Sequence, residues 1–226
     1  MQGIDHGLPV RAALAPESLH LELRDIGPDQ LHDAFMQETI KRVPARASRI
    51  EIPRTDLANT SPDTAPAGLI FHVARCGSTL ASQLLKRDDR LVVYAEPLPF
   101  NELLVPPHKW ERAGLVAALR GLGAAFARHA RKPYVLKFTS WNTLFCDVVA
   151  EAFPTTPWAL CLRDPVEVCV SLFDRPPGWL RESGGAMQVF AGVVDSARAP
   201  RSREDYVARV YAAFCDAAAR LDTKRG

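Results

Sequence analysis

The stretch Leu69-Ile70-Phe71-His72-Val73-Ala74-Arg75-Cys76-Gly77-Ser78-Thr79-Leu80 decides the fold. Its first five residues form a short apolar run, the pattern of a strand buried on both faces. A loop follows, and the spacing predicts a helix over roughly Thr79 to Lys86. A strand that turns into a helix in this way presents free backbone N–H groups and the positive end of a helix dipole, which together hold oxyanions. Gly77 lets the backbone approach a ligand closely. Ser78 and Thr79 add hydroxyls, and Arg75 adds a charge in a planar fork that suits oxyanions. A plain strand-to-helix turn with a serine cap is the simpler alternative.

Working outward, the same alternation recurs. Leu91-Val92-Val93-Tyr94, Tyr134-Val135-Leu136 and Trp158-Ala159-Leu160-Cys161-Leu162 read as three more strands. Between them lie a helix over Glu111 to Ala130, with Leu115, Leu119, Leu122 and Phe126 on one stripe, and a helix capped by Ser140. A helix begins at Pro165, and another spans Glu204 to Leu221 with Val207, Val210, Tyr211, Phe214 and Leu221 turned inward. Strands alternating with helices predict an α/β fold: a parallel sheet flanked by helices on both faces, in a P-loop nucleotide-binding-like three-layer architecture. Ligands of such sheets bind at the carboxyl ends of the strands. Arg75 to Thr79 follow the first strand, Glu96 the second, Lys137 the third and Arg163 the fourth.

The first part of the chain reads differently. Leu31, Phe35, Thr39, Ile40 and Val43 suggest one amphipathic helix ending before Pro44, and Ile50 and Ile52 alternate with charges as in a short edge strand. Asn59 to Pro66 is rich in turn formers and reads as a connection. The expected organisation is an N-terminal extension over 1–66 packed on an α/β domain over 67–226.

A net charge of +2 is too small to argue for a nucleic-acid partner. No run of about 18 apolar residues predicts a membrane span, and the first residues lack a secretory signal. The five cysteines form no C-x-x-C pair and are odd in number, which suggests reduced thiols in a cytoplasmic protein rather than a zinc cage. Neither the G-x-x-x-x-G-K-[ST] loop of nucleoside triphosphatases nor the dinucleotide G-x-G-x-x-G is present. Cys76 opens a helix and could have a lowered pKa. A cysteine-phosphatase loop, however, closes with an arginine where this chain has Ser82, so Cys76 reads as a small loop residue. His72, inside an apolar strand, reads as a packed, hydrogen-bonded histidine rather than a catalyst.

Phe71 to Leu80 resembles the 5′-phosphosulfate loop of the sulfotransferase family, which reads R-S-G-S-T-L in many bacterial and carbohydrate-acting members. A second stretch, Leu162-Arg163-Asp164-Pro165-Val166-Glu167-Val168-Cys169-Val170-Ser171-Leu172, resembles that family's 3′-phosphate motif. Its local chemistry is that of a helix start, with Asp164 as N-cap, Pro165 at the first position and Glu167 completing a capping box. The two motifs and the strands between them cover Gly68 to Leu172.

The resemblance implies 3′-phosphoadenosine 5′-phosphosulfate (PAPS) as sulfuryl donor and no metal. Arg75, Cys76, Gly77, Ser78, Thr79 and Leu80 would hold its phosphosulfate end, and Arg163 and Ser171 its 3′-phosphate. Sulfuryl transfer, like phosphoryl transfer, is an in-line displacement with charge spread over oxygens. Arg75 would stabilise those oxygens, Lys137 would neutralise the bridging oxygen, and Glu96 would take the acceptor's proton. The cytosolic small-molecule branch carries Lys-Thr-His after the third strand. Here the stretch is Lys137-Phe138-Thr139, which favours Glu96 over a histidine as base. The Gly-Asp-Trp segment of that branch is missing, and the chain ends at Gly226 after Lys224-Arg225, where many members continue with a further strand. Two alternatives therefore stay open: a non-catalytic nucleotide-binding module of the same fold, and an unusual kinase. The acceptor would be a small molecule, glycan or lipid, lined by loops such as Pro97 to Lys109 and Arg175 to Gly185.

Overall fold

The computed structural model describes residues 6–105, 110–177, 180 and 200–222. The end of the expected loop from Pro97 to Lys109, most of that from Arg175 to Gly185 and the Lys224-Arg225 tail lie outside them.

The N-terminal region is mainly a sheet. Strands β1 (Leu8–Leu14), β2 (Ser18–Arg24) and β3 (Ala47–Pro53) pair antiparallel in the order β1-β2-β3. The cause is period-2 patterning: Leu19, Leu21 and Leu23 are buried between His20, Glu22 and Arg24. That alternation stands in the sequence, and the expected single helix overlooked it. β3 is the edge strand that Ile50 and Ile52 predict, with Ile50 opposite Leu21 and Ile52 opposite Leu19. Helix α1 covers only Met36–Arg42, so Leu31 and Phe35 precede it. Phe35 is extended, and its N–H donates to Glu38 Oε2 at 3.1 Å, which fixes the helix start one residue later.

The second sheet is parallel. Strands β4 (Gly68–His72), β5 (Val92–Ala95), β6 (Tyr134–Lys137) and β7 (Trp158–Cys161) lie in the order β5-β6-β4-β7. The molecule is therefore α/β. Successive residues of β4 point to opposite faces. Leu69 and Phe71 join the main core with Leu115, Leu119, Leu122 and Phe126 of α5 (Arg112–Ala130). Ile70 joins Val93 and Val135 on the other face, where Leu85 of α3 (Ser78–Leu85) covers them.

Two short helices brace α5: α2 (Arg54–Leu57) and α6 (Cys146–Ala152). A β-carbon on Gly121 of α5 would lie 2.2 Å from Leu57 Cδ2, so the close approach of α2 explains a glycine that costs about 1 kcal/mol in a helix interior. The helix expected from Ser140 opens as a 3₁₀ segment, Ser140–Phe145, before α6. Thr139 rather than Ser140 is its first cap, and the Thr139 N–H donates to Asn142 Oδ1 at 3.1 Å. Helices α7 (Pro165–Asp174) and α8 (Arg203–Asp222) form a satellite core in which Val168, Leu172, Val207, Val210 and Phe214 bury Val73 and Ala74 of the loop after β4. Among the described residues no helix is long and apolar enough to cross a membrane.

The region after β5 is helical where a loop was expected. Pro97 caps α4 (Leu98–Leu104), and Pro99 falls in its first turn, where a missing N–H costs nothing. Glu102 of α4 accepts from the Ala12 N–H at 2.7 Å and from Arg11, tying this helix to β1.

A second tie is buried. His129 Nε2 lies 2.7 Å from the Ile26 carbonyl, which can only accept, so this nitrogen carries the proton and Nδ1 accepts from the Tyr94 hydroxyl at 2.6 Å. Burial pushes His129 below its ordinary 6.5, outweighing the Ile26 carbonyl. A depressed pKa on a base means that the unfolded chain binds the proton more readily, so stability is complete above 6.5 and is lost as pH falls. The stability gap between wild type and His129→Gln should narrow on going from about one pH unit above 6.5 to about one below it. Urea midpoints measure it, and a constant gap would refute the account.

Candidate functional site

The carboxyl ends of β4, β5 and β6 open on one cleft of about 680 Å³, with Ser171 and Leu172 of α7 on another side. This is the crevice where α/β sheets place ligands. β4 lies inside the sheet, with β6 on one side and β7 on the other, so the loop that follows it occupies the middle of the cleft floor.

That loop is tightly wound. Ala74 and Arg75 have φ of 67° and 48°, and Gly77 has φ of 85°. Left-handed backbone at two non-glycine residues costs free energy and persists where its surroundings enforce it. Here Ala74 is held in the satellite core, and the carbonyl of Arg75 accepts from Arg163 at 3.2 Å. Gly77 is the N-cap of α3 and brings no side chain to the first-turn N–H groups. A β-carbon there would meet nothing within 4 Å, so the space before the helix start is open. Ser78, Thr79, Cys76 and Arg75 all face the cleft. The Arg75 guanidinium donates to the carbonyl of Arg175.

Behind the loop lies a chain of ionisable groups. Lys137, at the end of β6, is fully buried, and its ammonium donates to Glu96 Oε1 and lies 5.3 Å from the Phe35 ring centroid. Glu96 also has left-handed backbone, φ 55°, and about a quarter of its side chain is open to the cleft. Its other neighbour is His72, with Nε2 at 3.6 Å from Oε1. His72 Nε2 donates to the Phe138 carbonyl at 2.9 Å, and its Nδ1 accepts from the Ala74 N–H at 3.2 Å. Cys76 borders the same cleft as His72.

Each group's proton affinity reflects these neighbours. Burial alone would raise the Glu96 pKa, but neighbouring His72 and the Lys137 charge hold it below the ordinary 4.5. Burial alone would lower His72, but Cys76 and Glu96 carry it above 6.5. Burial alone would raise Cys76, but His72 holds it below 9.0.

The expected site residues separate into two groups. Arg75, Cys76, Gly77, Ser78, Thr79, Glu96 and Ser171 line the cleft together. Leu80, Lys137 and Arg163 stand outside that lining. The Leu80 side chain is 65% exposed on the outer face of α3. Lys137 reaches the cleft only through Glu96. Arg163 donates to Glu167 Oε2 at 2.6 Å and to the Arg75 carbonyl, so it braces the loop. Asp164 caps α7 by accepting from Val166 and Glu167 N–H groups, as its position predicts. Glu167 turns to Arg163 instead of closing a capping box.

Sequence reasoning missed Phe35 and Trp141, which form aromatic walls, whereas His72 is packed and hydrogen-bonded as expected and also borders the cleft. Thr139 lines the cleft and accepts from Asn101 Nδ2 at 3.0 Å. Nothing in the spacing of Phe35 points to a partner on β6. Among the described residues, no three His, Cys, Asp or Glu side chains converge as metal ligands would. In comparisons with known proteins, no family model, no curated protein and no solved structure matches this chain.

A buried ion pair is costly to break from either side, because the survivor is left uncompensated. Lys137→Met and Glu96→Gln should each lose about 2–3 kcal/mol, and the double variant should lose clearly less than their sum. Urea unfolding of the four proteins measures this coupling, and additive losses would show that the pair does not act as a unit.

Proposed function

We propose that this chain is a sulfotransferase that moves a sulfuryl group from PAPS to a hydroxyl or amine acceptor. The observation that carries the reading is the meeting of the oxyanion loop, the Glu96 carboxylate and Ser171 in one cleft at the strand ends. The order β5-β6-β4-β7, with the anion loop leaving an interior strand, fits a P-loop-like nucleotide-binding architecture. The open helix start of α3 and the charge of Arg75 fit the phosphosulfate end of the donor. Ser171 fits its 3′-phosphate, and Arg163 serves the same end by fixing the loop.

PAPS supplies an activated sulfuryl group and leaves as adenosine 3′,5′-bisphosphate. Glu96, ionised and facing the cleft, takes the proton from the acceptor. Lys137 orients that carboxylate from below. Loop N–H groups and Arg75 meet the charge that develops on the transferring oxygens. Phe35 and Trp141 exclude water from one side of the cleft.

Titration calorimetry with adenosine 3′,5′-bisphosphate tests the donor half. Binding should be stronger than that of ATP with Mg²⁺, and no binding at high micromolar concentration would refute the reading. Glu96→Gln, checked as folded, should keep nucleotide binding and lose about 10²–10⁴-fold in turnover. Binding without transfer to any of a panel of hydroxylated acceptors would instead identify a non-catalytic nucleotide-binding module. A preference for ATP would identify a kinase.

A further inference from the structure

The two edges of the N-terminal sheet are finished differently. On the β1 edge, α4 packs against the strand and Glu102 accepts from the Ala12 N–H at 2.7 Å. The pairing of β1 is also interrupted between Pro9 and Arg11. Covers and bulges of this kind keep a strand edge from joining another strand. The β3 edge has neither among the described residues. Its register with β2 runs unbroken from Ala47 to Pro53, and its core-facing residues Ser48, Ile50 and Ile52 carry no charge.

The pairing with β2 shows which backbone groups β3 leaves over. The Arg54 N–H donates to the Glu17 carbonyl at 2.8 Å, and the Asp25 N–H donates to the Arg46 carbonyl at 3.0 Å. By the two-residue period of a strand, Ser48, Ile50 and Ile52 turn their backbone groups to β2 as well. Ala47, Arg49, Glu51 and Pro53 turn theirs outward. Among the described residues, no group accepts from the N–H of Ala47, Arg49 or Glu51. Pro53 has no N–H, so it ends the ladder. Arg49 and Glu51 also expose their side chains. Arg49 has no ion-pair partner among the described residues, and Glu51 lies 3.6 Å from His20.

We propose that β3 is a self-association edge, which pairs antiparallel with β3 of a second copy of this chain about a two-fold axis at Ile50. The outward backbone groups can bond only in registers that set Ala47, Arg49, Glu51 and Pro53 opposite one another. Charge then selects among these registers. A two-fold at Arg49 sets Arg49 against its own counterpart, and one at Glu51 does the same with Glu51. Axes at Ser48 or Ile52 shorten the ladder and leave both charges opposite uncharged residues. An axis at Ile50 sets Arg49 opposite Glu51 of the second copy, and symmetry repeats the pair. In that register Arg49 and Glu51 exchange both backbone bonds with their opposites, and the Ala47 N–H reaches the Pro53 carbonyl of the second copy. On the core face Ile50 meets its counterpart, and Ile52 lies opposite Ser48. Ile50 and Ile52 are only partly buried against the core, so pairing covers what each copy leaves open. Two three-stranded sheets become one continuous sheet.

Sedimentation equilibrium of the full-length protein tests this, with the fold of each variant checked by circular dichroism. Wild type should reach the mass of a dimer at high micromolar concentration, and less readily at high salt. Arg49→Glu sets like charges opposite each other twice and should raise the dimer Kd by about tenfold or more. Glu51→Arg should do the same. The double variant, Arg49→Glu with Glu51→Arg, restores the pairs in reverse and should return the Kd to within about threefold of wild type. A wild type that stays monomeric at high micromolar concentration overturns the proposal. So does a dimer whose Kd a folded Arg49→Glu leaves unchanged, and so does a folded double variant as weak as the single ones. No nucleotide enters the measurement, so its outcome is separate from that of the donor reading.

Discussion

The ammonium of Lys137 is the constraint around which the cleft is organised. A buried cation without a partner costs several kcal/mol, and Lys137 is fully buried. Glu96 therefore has to arrive at one position, and it does so by taking a left-handed backbone turn directly after β5. The Glu96 N–H donates to the Lys137 carbonyl at 2.7 Å, so backbone and side chain lock the same two strand ends together. Phe35 then closes over the charge from outside the parallel sheet. The carboxylate that faces solvent is thus placed by a residue that does not.

Strain accompanies this placement. Ala74, Arg75 and Glu96 account for three of the four non-glycine residues with positive φ among those described, and all three line the cleft. Such conformations need a scaffold that over-determines them. Helices α7 and α8 supply it for the loop, and the Lys137 pair supplies it for Glu96. The rigid parts hold the unfavourable ones in register, which is how a loop can present polar groups with little reorganisation.

The parallel sheet was legible because short apolar runs bounded by turn formers have few other uses in a chain of this size. The anion loop was legible for the same reason, since Gly77, Ser78 and Thr79 fall at a strand-to-helix turn. The N-terminal sheet was equally written in Leu19 to Arg24, but a competing helical spacing from Leu31 to Val43 obscured it. The stretch from Pro97 was expected as a loop lining the acceptor, although proline suits a helix start. Phe35 was beyond reach for another reason. Its role depends on which way a side chain points across the tertiary fold, and periodicity carries no such information. Arg163 shows the limit from the other side: its position after β7 was right, while its hydrogen bonds turn it to bracing.

The underside of the anion loop has a further implication. Val73 and Ala74 are covered by Val207, Val210 and Phe214, which come more than a hundred residues later in the chain. During synthesis the loop, Glu96 and Lys137 all emerge well before that cover exists. Until α8 docks, the apolar side of the loop and the inner face of α7 stand open to water, and the left-handed turn at Ala74 lacks the cover of Val207, Val210 and Phe214. Biogenesis of the cleft is therefore a late event, and the nascent chain presents a hydrophobic seam that a chaperone can recognise in the interval.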